Sequence, residues 1–189
     1  MSVGRSTTAT EGSGTRSAFQ IIEGWPALSP ADSLAVSEFW IRENAIQNAA
    51  DVAERIRQVV LYARAASGEV VGVATAVPVV PPRFGQPMYY FRAFIGQAWR
   101  GTPLVRQMMI RACAVLEAYA RERNYPCIGV LLELENARFN TSLRSPFWRS
   151  TRFHYIGKSE RGLEMRAFYF EGARLKTPAE IEALRFPIH

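Results

Sequence analysis

Two stretches of this 189-residue chain carry side chains that could do chemistry, and the first is a strand that runs into a helix. A predicted strand over Met88 to Ile95 leads into a tight turn with Arg100 and Gly101. Thr102 is the expected capping residue of the helix that follows, and Pro103 stands at the first helical position, where a missing N–H is harmless. The first turn of a helix has unpaired N–H groups at the positive end of its dipole. This pattern predicts a phosphate-binding site.

The donors of this predicted phosphate site are the backbone N–H groups at the start of the helix. Those of Leu104, Val105 and Arg106 are expected to be unpaired, and Arg100 and Arg106 add positive charge. Pro103 supplies no N–H, so the predicted phosphate site has one donor fewer. The branched side chain of Val105 could also narrow this site. The sequence therefore predicts a diphosphate site that is weakened but not abolished.

The second stretch is a pair of carboxylates, Glu133 and Glu135, at the end of a predicted strand over Cys127 to Leu134. Because they are two residues apart, they share one face of that strand. Ligands of open α/β sheets collect at such strand ends, and a carboxylate there could act as a general base. The alternative is a salt bridge with a nearby arginine such as Arg138 or Arg92.

Length and composition favour one folded domain. Apolar residues make up 48% and charged residues 21% of the chain, close to an ordinary soluble protein. Residues 1–17 have almost nothing to bury and are expected to be a mobile tail. Residues 18–170 are expected to form the single domain, and residues 171–189 a surface extension with one short helix.

The net charge of +6 comes almost wholly from arginine. A basic balance can indicate nucleic acid or an anionic ligand, or arginine that simply replaces lysine throughout the source proteome. The arginines are spread along the chain and form no basic stripe with interleaved aromatic residues. Nucleic acid is therefore an unlikely partner, and an anionic small molecule remains.

The sequence lacks the patterns that are typical of metal-binding, membrane-spanning and secreted proteins. Cys113, Cys127, His154 and His189 have no metal-ligand spacing, so no metal site is predicted. No apolar run reaches the roughly 18–20 residues of a membrane helix. The N-terminus lacks the basic-then-apolar pattern of a secretory signal. We therefore expect a cytoplasmic protein without a membrane partner.

The predicted element order is strand, two helices, three strands, helix, strand, helix and two strands. The second and third strands, Val59 to Ala65 and Glu69 to Val80, are a predicted hairpin. Around the long central helix, the strands Met88 to Ile95 and Cys127 to Leu134 are predicted to be parallel. The fold class is α/β with an α+β mixed sheet of six to seven strands and helices on both faces.

This order, with an Arg-Gly turn that opens the central helix, resembles the GNAT superfamily of acyl-CoA-dependent N-acyltransferases from about Phe19 to Phe170. The pyrophosphate loop of that family reads Gln/Arg-x-x-Gly-x-Gly/Ala. Arg100 fits its first place, while Pro103 and Val105 occupy the two glycine places.

A second family motif, Leu-Tyr-x-x-x-Gly-Phe, is matched in place by residues 147–153, where Trp148 replaces the Tyr. The family Asn that precedes this segment is best matched by Asn140 and less well by Asn136.

The resemblance implies that acetyl-CoA or another acyl-CoA is the cosubstrate and that an unidentified amine is the acceptor. It implies that the diphosphate lies at the Arg100–Arg106 turn and that the pantetheine follows the end of the strand. The cofactor-binding residues it implies are Phe94, Ile95, Gly96, Arg100, Gly101, Thr102, Leu104, Val105, Arg106, Asn140 and Trp148.

Trp148 stands where many family members have a Tyr that protonates the leaving thiolate. Indole is not an acid at useful pH, so Trp148 either packs against the sheet or walls the pantetheine channel. The acid is then Tyr155 or Tyr169, or water supplies the proton. The catalytic candidates are Glu133, Glu135 and Tyr155.

The degenerate motifs leave a second interpretation open, a catalytically inactive GNAT-like domain that binds coenzyme A or a protein partner. The acceptor site is expected between the loop from Pro81 to Gln86 and the two N-terminal helices. Phe84, Trp40 and Arg83 there suggest an acceptor with some apolar or anionic character. A homodimer also remains open.

Overall fold

A single mixed sheet of eight strands forms the centre of the computed structural model, which describes residues 18–82, 84–135 and 145–184. The spatial order is β1-β2-β3-β4-β5-β8-β7-β6. The strands are β1 (Phe19–Glu23), β2 (Val59–Ala65), β3 (Val70–Val79), β4 (Met88–Ile95), β5 (Gly129–Glu133), β6 (Phe147–Trp148), β7 (Phe153–Lys158) and β8 (Glu164–Tyr169). This confirms the predicted mixed sheet, with eight strands instead of six to seven.

The additional strand is β6, which lies where the predicted order has a helix between the strand that ends at Leu134 and the two closing strands. Phe147 and Trp148 instead pair with His154 and Phe153 of β7. The rest of that predicted helix falls largely on residues 136–144, which lie outside the described residues. Pro146 precedes the strand, and the residue before a proline is biased towards extended backbone.

The helices within the described residues carry the capping signals that the sequence shows. They are α1 (Pro30–Arg42), α2 (Ala49–Ile56), α3 (Leu104–Glu122) and α4 (Pro178–Glu182), with a 3₁₀ turn at Gln97–Trp99. Ser29 caps α1, Asn48 caps α2, and Thr177 with Glu180 forms a capping box on α4. Such caps satisfy first-turn N–H groups, which is why these starts are readable from sequence.

The helices cover both faces of the sheet, as predicted. On one face, α3 buries Leu104, Met108, Ala112 and Leu116 against β2–β5. On the other face, α1 and α2 pack over β2, β3 and β4 in a second apolar cluster. Gly72 of β3 lets α3 come close, because a Cβ there would lie 2.9 Å from Cδ1 of Ile95 and 3.2 Å from Sδ of Met108.

The N-terminus of α1 is fastened to β2 through Asp32. Its carboxylate accepts hydrogen bonds from the Ser29 hydroxyl (2.6 Å), the Tyr62 hydroxyl (2.6 Å) and the Arg64 guanidinium (3.0 Å). Because Tyr62 is almost fully buried, its hydroxyl needs a partner inside the fold. This network joins the first helix to β2, the strand next to the β1 edge of the sheet.

The central strands β4 and β5 diverge after a short region of pairing. They are parallel, as predicted for a strand–helix–strand unit, but they pair only at Tyr89↔Val130 and Tyr90↔Leu131. On its other side β5 pairs with β8 along its whole length, and β4 pairs with β3 as far as Ile95. The sheet therefore opens into a wedge between the C-terminal halves of β4 and β5.

Candidate functional site

The edge of β4 that faces the wedge offers backbone hydrogen-bonding groups. On the other edge, the Gly96 N–H donates to the Val71 carbonyl at 2.9 Å. Because successive residues of a strand direct their peptide groups to alternate edges, those of Phe91, Ala93 and Ile95 face β5. The wedge begins just before these residues, so their N–H and C=O groups lie where a ligand that contains amides could bind.

The side chain of Arg100 contacts the end of β4. Its Nε donates to the Ile95 carbonyl at 3.1 Å, and its guanidinium lies 5.6 Å from the centre of the Phe94 ring. The resemblance described above implies that Phe94, Ile95 and Arg100 belong to one cofactor-binding site, and the structure brings these three residues together. Arg100 uses one polar group of the open β4 edge, so a ligand there competes with it or lies beside it.

The helix begins at Leu104, one residue later than predicted. Thr102 Oγ1 accepts a hydrogen bond from the Leu104 N–H at 3.3 Å and donates one to the Trp99 carbonyl at 2.8 Å. The prediction that the Leu104 N–H is unpaired is therefore wrong, because the side chain two residues earlier already caps it. The Leu104 side chain is fully buried in the core.

The remaining first-turn donors are those of Val105 and Arg106. Within the described part of the chain, neither N–H makes a hydrogen bond to a backbone carbonyl. The Val105 side chain packs against the core, so it does not narrow the turn as the sequence suggested. Gly101 has a φ of 82°, and a Cβ there would meet nothing within 4 Å. An open turn with two unpaired donors and the exposed Arg106 could hold an anion.

Glu43, a residue that the sequence analysis did not select, holds this turn against α1. The Gln97 N–H donates to Glu43 Oε2 at 3.0 Å. The approach depends on Gly96, since a Cβ there would lie 3.2 Å from Glu43 Oε1 and 3.3 Å from the Val71 carbonyl oxygen. The two groups are 54 residues apart in sequence, so no local pattern could have shown their contact.

The two predicted carboxylates lie together at the end of β5 and share one arginine. Arg161 Nη1 is 3.2 Å from Glu133 Oε2 and 3.2 Å from Glu135 Oε1. The predicted salt bridge is therefore made, among the described residues, by Arg161 and not by Arg92; Arg138 lies outside those residues. The Glu133 side chain is 12% exposed and that of Glu135 59%. Glu133 is therefore the more enclosed of the two candidate bases.

Tyr90 and Arg92 of β4 lie on the same face of the sheet as Glu133. Tyr90 packs against the cluster that contains Leu131, and the Arg92 guanidinium lies 4.8 Å from the centre of the Tyr90 ring. Burial raises the pKa of Tyr90, and the charge of Glu133 raises it further. The alternation of β4 could have identified Tyr90, because residues 90 and 92 share a face with the carboxylate.

Tyr155, the third catalytic candidate, lies on the opposite face. It pairs with Arg166 of β8, which in turn pairs with Leu132, whereas Glu133 pairs with Met165. Directly paired residues share a face and neighbours alternate, so Tyr155 and Glu133 point to opposite sides of the sheet. The structure does not bring these two candidates together.

The other acid candidate, Tyr169, pairs with Gly129 at the far end of β5 from Glu133. Burial raises its pKa.

Trp148 is buried, with 8% of its surface exposed. Its ring centre lies 4.0 Å from the guanidinium of Arg166 and 6.4 Å from the ring of Phe153. Of the two sequence interpretations, the structure places this side chain in the packing of the core. Asn140 lies outside the described residues.

Among the residues expected to line the acceptor site, Trp40 is only 2% exposed and packs inside the α1 cluster. The expectation that it contacts an acceptor is therefore wrong, because it lies on the inner face of α1. Phe84 is half-buried and packs near Tyr169 at 6.2 Å. Arg83 lies outside the described residues.

The described residues contain no group of three or more His, Cys, Asp or Glu side chains placed to hold a metal ion. None of the helices in the ranges given above is long and apolar enough to cross a membrane.

Comparison with known proteins reveals the fold. No protein-family model matches this chain, and no curated protein is similar to it in sequence. Among solved structures, it resembles a GNAT-family acetyltransferase from Streptococcus pneumoniae with a TM-score of 0.55 and 12% identity, over 80% of this chain and 99% of that one. The ribosomal-protein-S5-alanine acetyltransferase of Vibrio fischeri gives a TM-score of 0.57 and 8% identity, over 84% and 96%.

A third similar structure is yncA of Salmonella typhimurium, determined with its cofactor acetyl-CoA. Its TM-score is 0.53 and its identity 16%, over 86% of this chain and 99% of that one. At these identities the likeness concerns the fold alone, and it extends over most of the chain in each case. The chain has the fold of the GNAT acetyltransferases.

Proposed function

We propose that this protein is an acyl-CoA-dependent N-acyltransferase that transfers an acyl group, most simply acetyl, directly to an amine. The observation that carries the proposal is the wedge between β4 and β5. It leaves one edge of β4 without a neighbouring strand, and that edge leads to the open first turn of α3. A long ligand with amides at one end of the site and phosphates at the other fits this arrangement.

The residues of the wedge fit an acyl-CoA. The peptide groups of Phe91 and Ala93 would bond the amides of the pantetheine arm. The N–H groups of Val105 and Arg106, with the guanidinium of Arg106, would hold the diphosphate, since backbone donors and positive charge at a helix start favour anions. Gly101 leaves the space beside these donors open.

The proposed transfer forms a bond between the amine nitrogen and the acyl carbon and breaks the carbon–sulfur bond. Glu133 accepts the proton that the ammonium must lose before its nitrogen can attack. Its enclosed position, on the face shared with Tyr90, supports this role over Glu135. Tyr90 has a raised pKa and stays protonated near neutral pH, so its hydroxyl can donate to the leaving thiolate, and water is the other source of that proton.

One observation favours the second candidate function, an inactive domain that binds coenzyme A or a partner. Arg161 contacts both Glu133 and Glu135, and a carboxylate oxygen that already accepts from an arginine is less accessible to an amine. Arg161 is 57% exposed and contacts Glu133 through Oε2, so an incoming ammonium can still bind the other oxygen of that carboxylate.

Calorimetry with acetyl-CoA and longer acyl-CoAs tests the cosubstrate, and product formation with a panel of amines tests catalysis. We expect binding at micromolar concentrations and turnover that falls at least tenfold in Glu133→Gln. Glu122→Gln, which removes an exposed carboxylate at the end of α3, is the matched control and should not change turnover.

Binding without turnover, unchanged by Glu133→Gln, would favour the inactive alternative. No binding of any acyl-CoA at high micromolar concentrations would overturn the proposal.

A further inference from the structure

An arginine and a glutamate stand opposite each other across the mouth of the wedge. The last paired residues of the two central strands are Tyr90 and Leu131. Two residues further along each strand are Arg92 and Glu133, so they lie at the same level. Tyr90 and Leu131 lie in the cluster on the face away from α3. Residues two apart in a strand share a face, so Arg92 and Glu133 lie on that face as well.

These opposite charges do not pair with each other. Glu133 contacts Arg161 through Oε2, and the Arg92 guanidinium stacks on the Tyr90 ring. Among the described residues, no carboxylate oxygen lies within 4.0 Å of the Arg92 guanidinium. In a regular sheet, neighbouring strands are about 4.8 Å apart, and such a pair would meet. The divergence of β4 and β5 holds them apart.

A second arginine lies on the same side of the sheet as Arg92, because α2 packs over β4 in the cluster that contains Phe94. Arg55 lies in the last turn of α2 and lines a cavity of about 270 Å³ together with Asp51, Glu54 and residues 45–47. Burial lowers the pKa of Arg55, and the charge of Arg92 lowers it further, whereas the charges of Glu54 and Asp51 raise it. An anionic group between the two arginines would reduce their mutual repulsion. The cavity beside Arg55 gives room for a side chain.

We propose that the acceptor is an amino acid, whose amine is held by Glu133 and whose carboxylate is held by Arg92 and Arg55. This rests on the proposed function and names its substrate class. The gap between Arg92 and Glu133 holds a molecule with one charge of each sign a few bonds apart. In the described part of the chain, Glu133 Oε1 accepts no hydrogen bond, so an ammonium can bind it while Arg161 keeps Oε2.

The transfer balances as an ordinary acylation. The α-ammonium gives one proton to Glu133, and its nitrogen bonds to the acyl carbon as the carbon–sulfur bond breaks. The nitrogen then loses its second proton, and the thiolate of coenzyme A leaves and takes up a proton from Tyr90 or water, which that second proton replaces. The carboxylate of the acceptor stays ionised throughout. The product is an N-acyl amino acid, which has lost its positive charge and so its attraction to Glu133.

Equilibrium binding separates this inference from catalysis. Calorimetry is carried out with the common amino acids, each compared with its own primary amide, on the whole chain with and without desulfo-coenzyme A, which cannot donate an acyl group. We expect the preferred amino acid to bind at least tenfold more tightly than its amide, since guanidinium–carboxylate bonds are charge-assisted. Arg92→Gln and Arg55→Gln should each reduce this preference at least threefold.

The control is Arg123→Gln, which removes one exposed positive charge at the end of α3, far from the wedge. It should keep the acid-to-amide preference of the wild type, and Arg92→Lys should keep part of it. A thermal melt of each variant verifies folding, and Arg55→Gln serves if Arg92→Gln does not fold.

If no amino acid binds more tightly than its amide, or if Arg92→Gln keeps the full preference, the inference is overturned. An acid preference that depends on Arg92, in a protein that binds no acyl-CoA, would support the inference and overturn the proposed function. Turnover of acyl-CoA that is as fast with amino-acid amides as with amino acids would support the proposed function and overturn the inference.

Discussion

Asp32 gives the network at the start of α1 a pH dependence that a conservative substitution can test. The hydroxyl of Ser29 and then that of Tyr62 hold the pKa of Asp32 below its ordinary value, and Arg64 adds to the effect. A carboxyl whose pKa is lowered in the folded state stabilises the fold through its ionised form. Its contribution is complete above the ordinary pKa of aspartate and is lost as the pH falls through the folded pKa.

The substitution Asp32→Asn keeps the shape and one acceptor oxygen but removes the charge. Hydrogen bonds to charged groups contribute about 1.5–3 kcal/mol and neutral ones about 0.5–1.5 kcal/mol. The Asp32 side chain is 30% exposed, and solvent screening reduces the difference. We expect a loss of about 1–2 kcal/mol in the free energy of unfolding at pH 7.

The matched control is Asp51→Asn. Asp51 is the third residue of α2, as Asp32 is the third residue of α1, so both substitutions lose the same attraction to a helix dipole. Among the described residues, the Asp51 side chain makes no hydrogen bond, so the difference between the two variants isolates the network.

Urea unfolding of all three proteins between pH 7 and pH 3 measures the effect. We expect the gap between wild type and Asp32→Asn to narrow below about pH 4, because protonation then removes the same charge from the wild type. A gap that stays constant down to pH 3, or one no larger than that for Asp51→Asn, would refute the reasoning.

Three further outcomes can be checked by unfolding and binding experiments. Gly129→Ala should destabilise the fold by about 3 kcal/mol or more, or prevent folding, because the new Cβ would lie 2.1 Å from the backbone oxygen of Phe168; urea unfolding measures it, and a loss below 1 kcal/mol would contradict the geometry. Glu164→Gln should lower the free energy of unfolding by about 2 kcal/mol, because it weakens the ion pair of the buried Arg166; an unchanged midpoint of urea unfolding would contradict this expectation. Val105→Gly should lower stability by about 1–2 kcal/mol without tightening acetyl-CoA binding, because that side chain packs in the core; tighter binding by calorimetry would show that the side chain does obstruct the turn.

Several features of the fold were predictable because their causes are local. Two helix starts can be read from a capping residue that precedes a proline, Ser29 before Pro30 and Thr177 before Pro178. The side chains of Ser29 and Thr177 accept hydrogen bonds from N–H groups in the first turn. The turn at Gly68 joins the β2–β3 hairpin, where a φ of 87° favours glycine.

The start of α3 shows where local reasoning loses accuracy. Thr102 was predicted to be the N-cap, but that position is occupied by Pro103. The Thr102 hydroxyl nevertheless accepts a hydrogen bond from the Leu104 N–H, a donor that the phosphate site was expected to use. The number of free donors depends on a rotamer, and a rotamer depends on the folded turn.

Sequence alone determined the order of the elements apart from β6, the parallel relation of the two central strands and the carboxylate pair at Glu133 and Glu135. These follow from periodicity, capping and chain connection, which act over a few residues. The tertiary structure decided that β4 and β5 separate after two paired residues, that Arg161 contacts both carboxylates and that Tyr155 lies on the other face. Each of these depends on contacts between distant segments, and such contacts leave no mark in the spacing of residues along the chain.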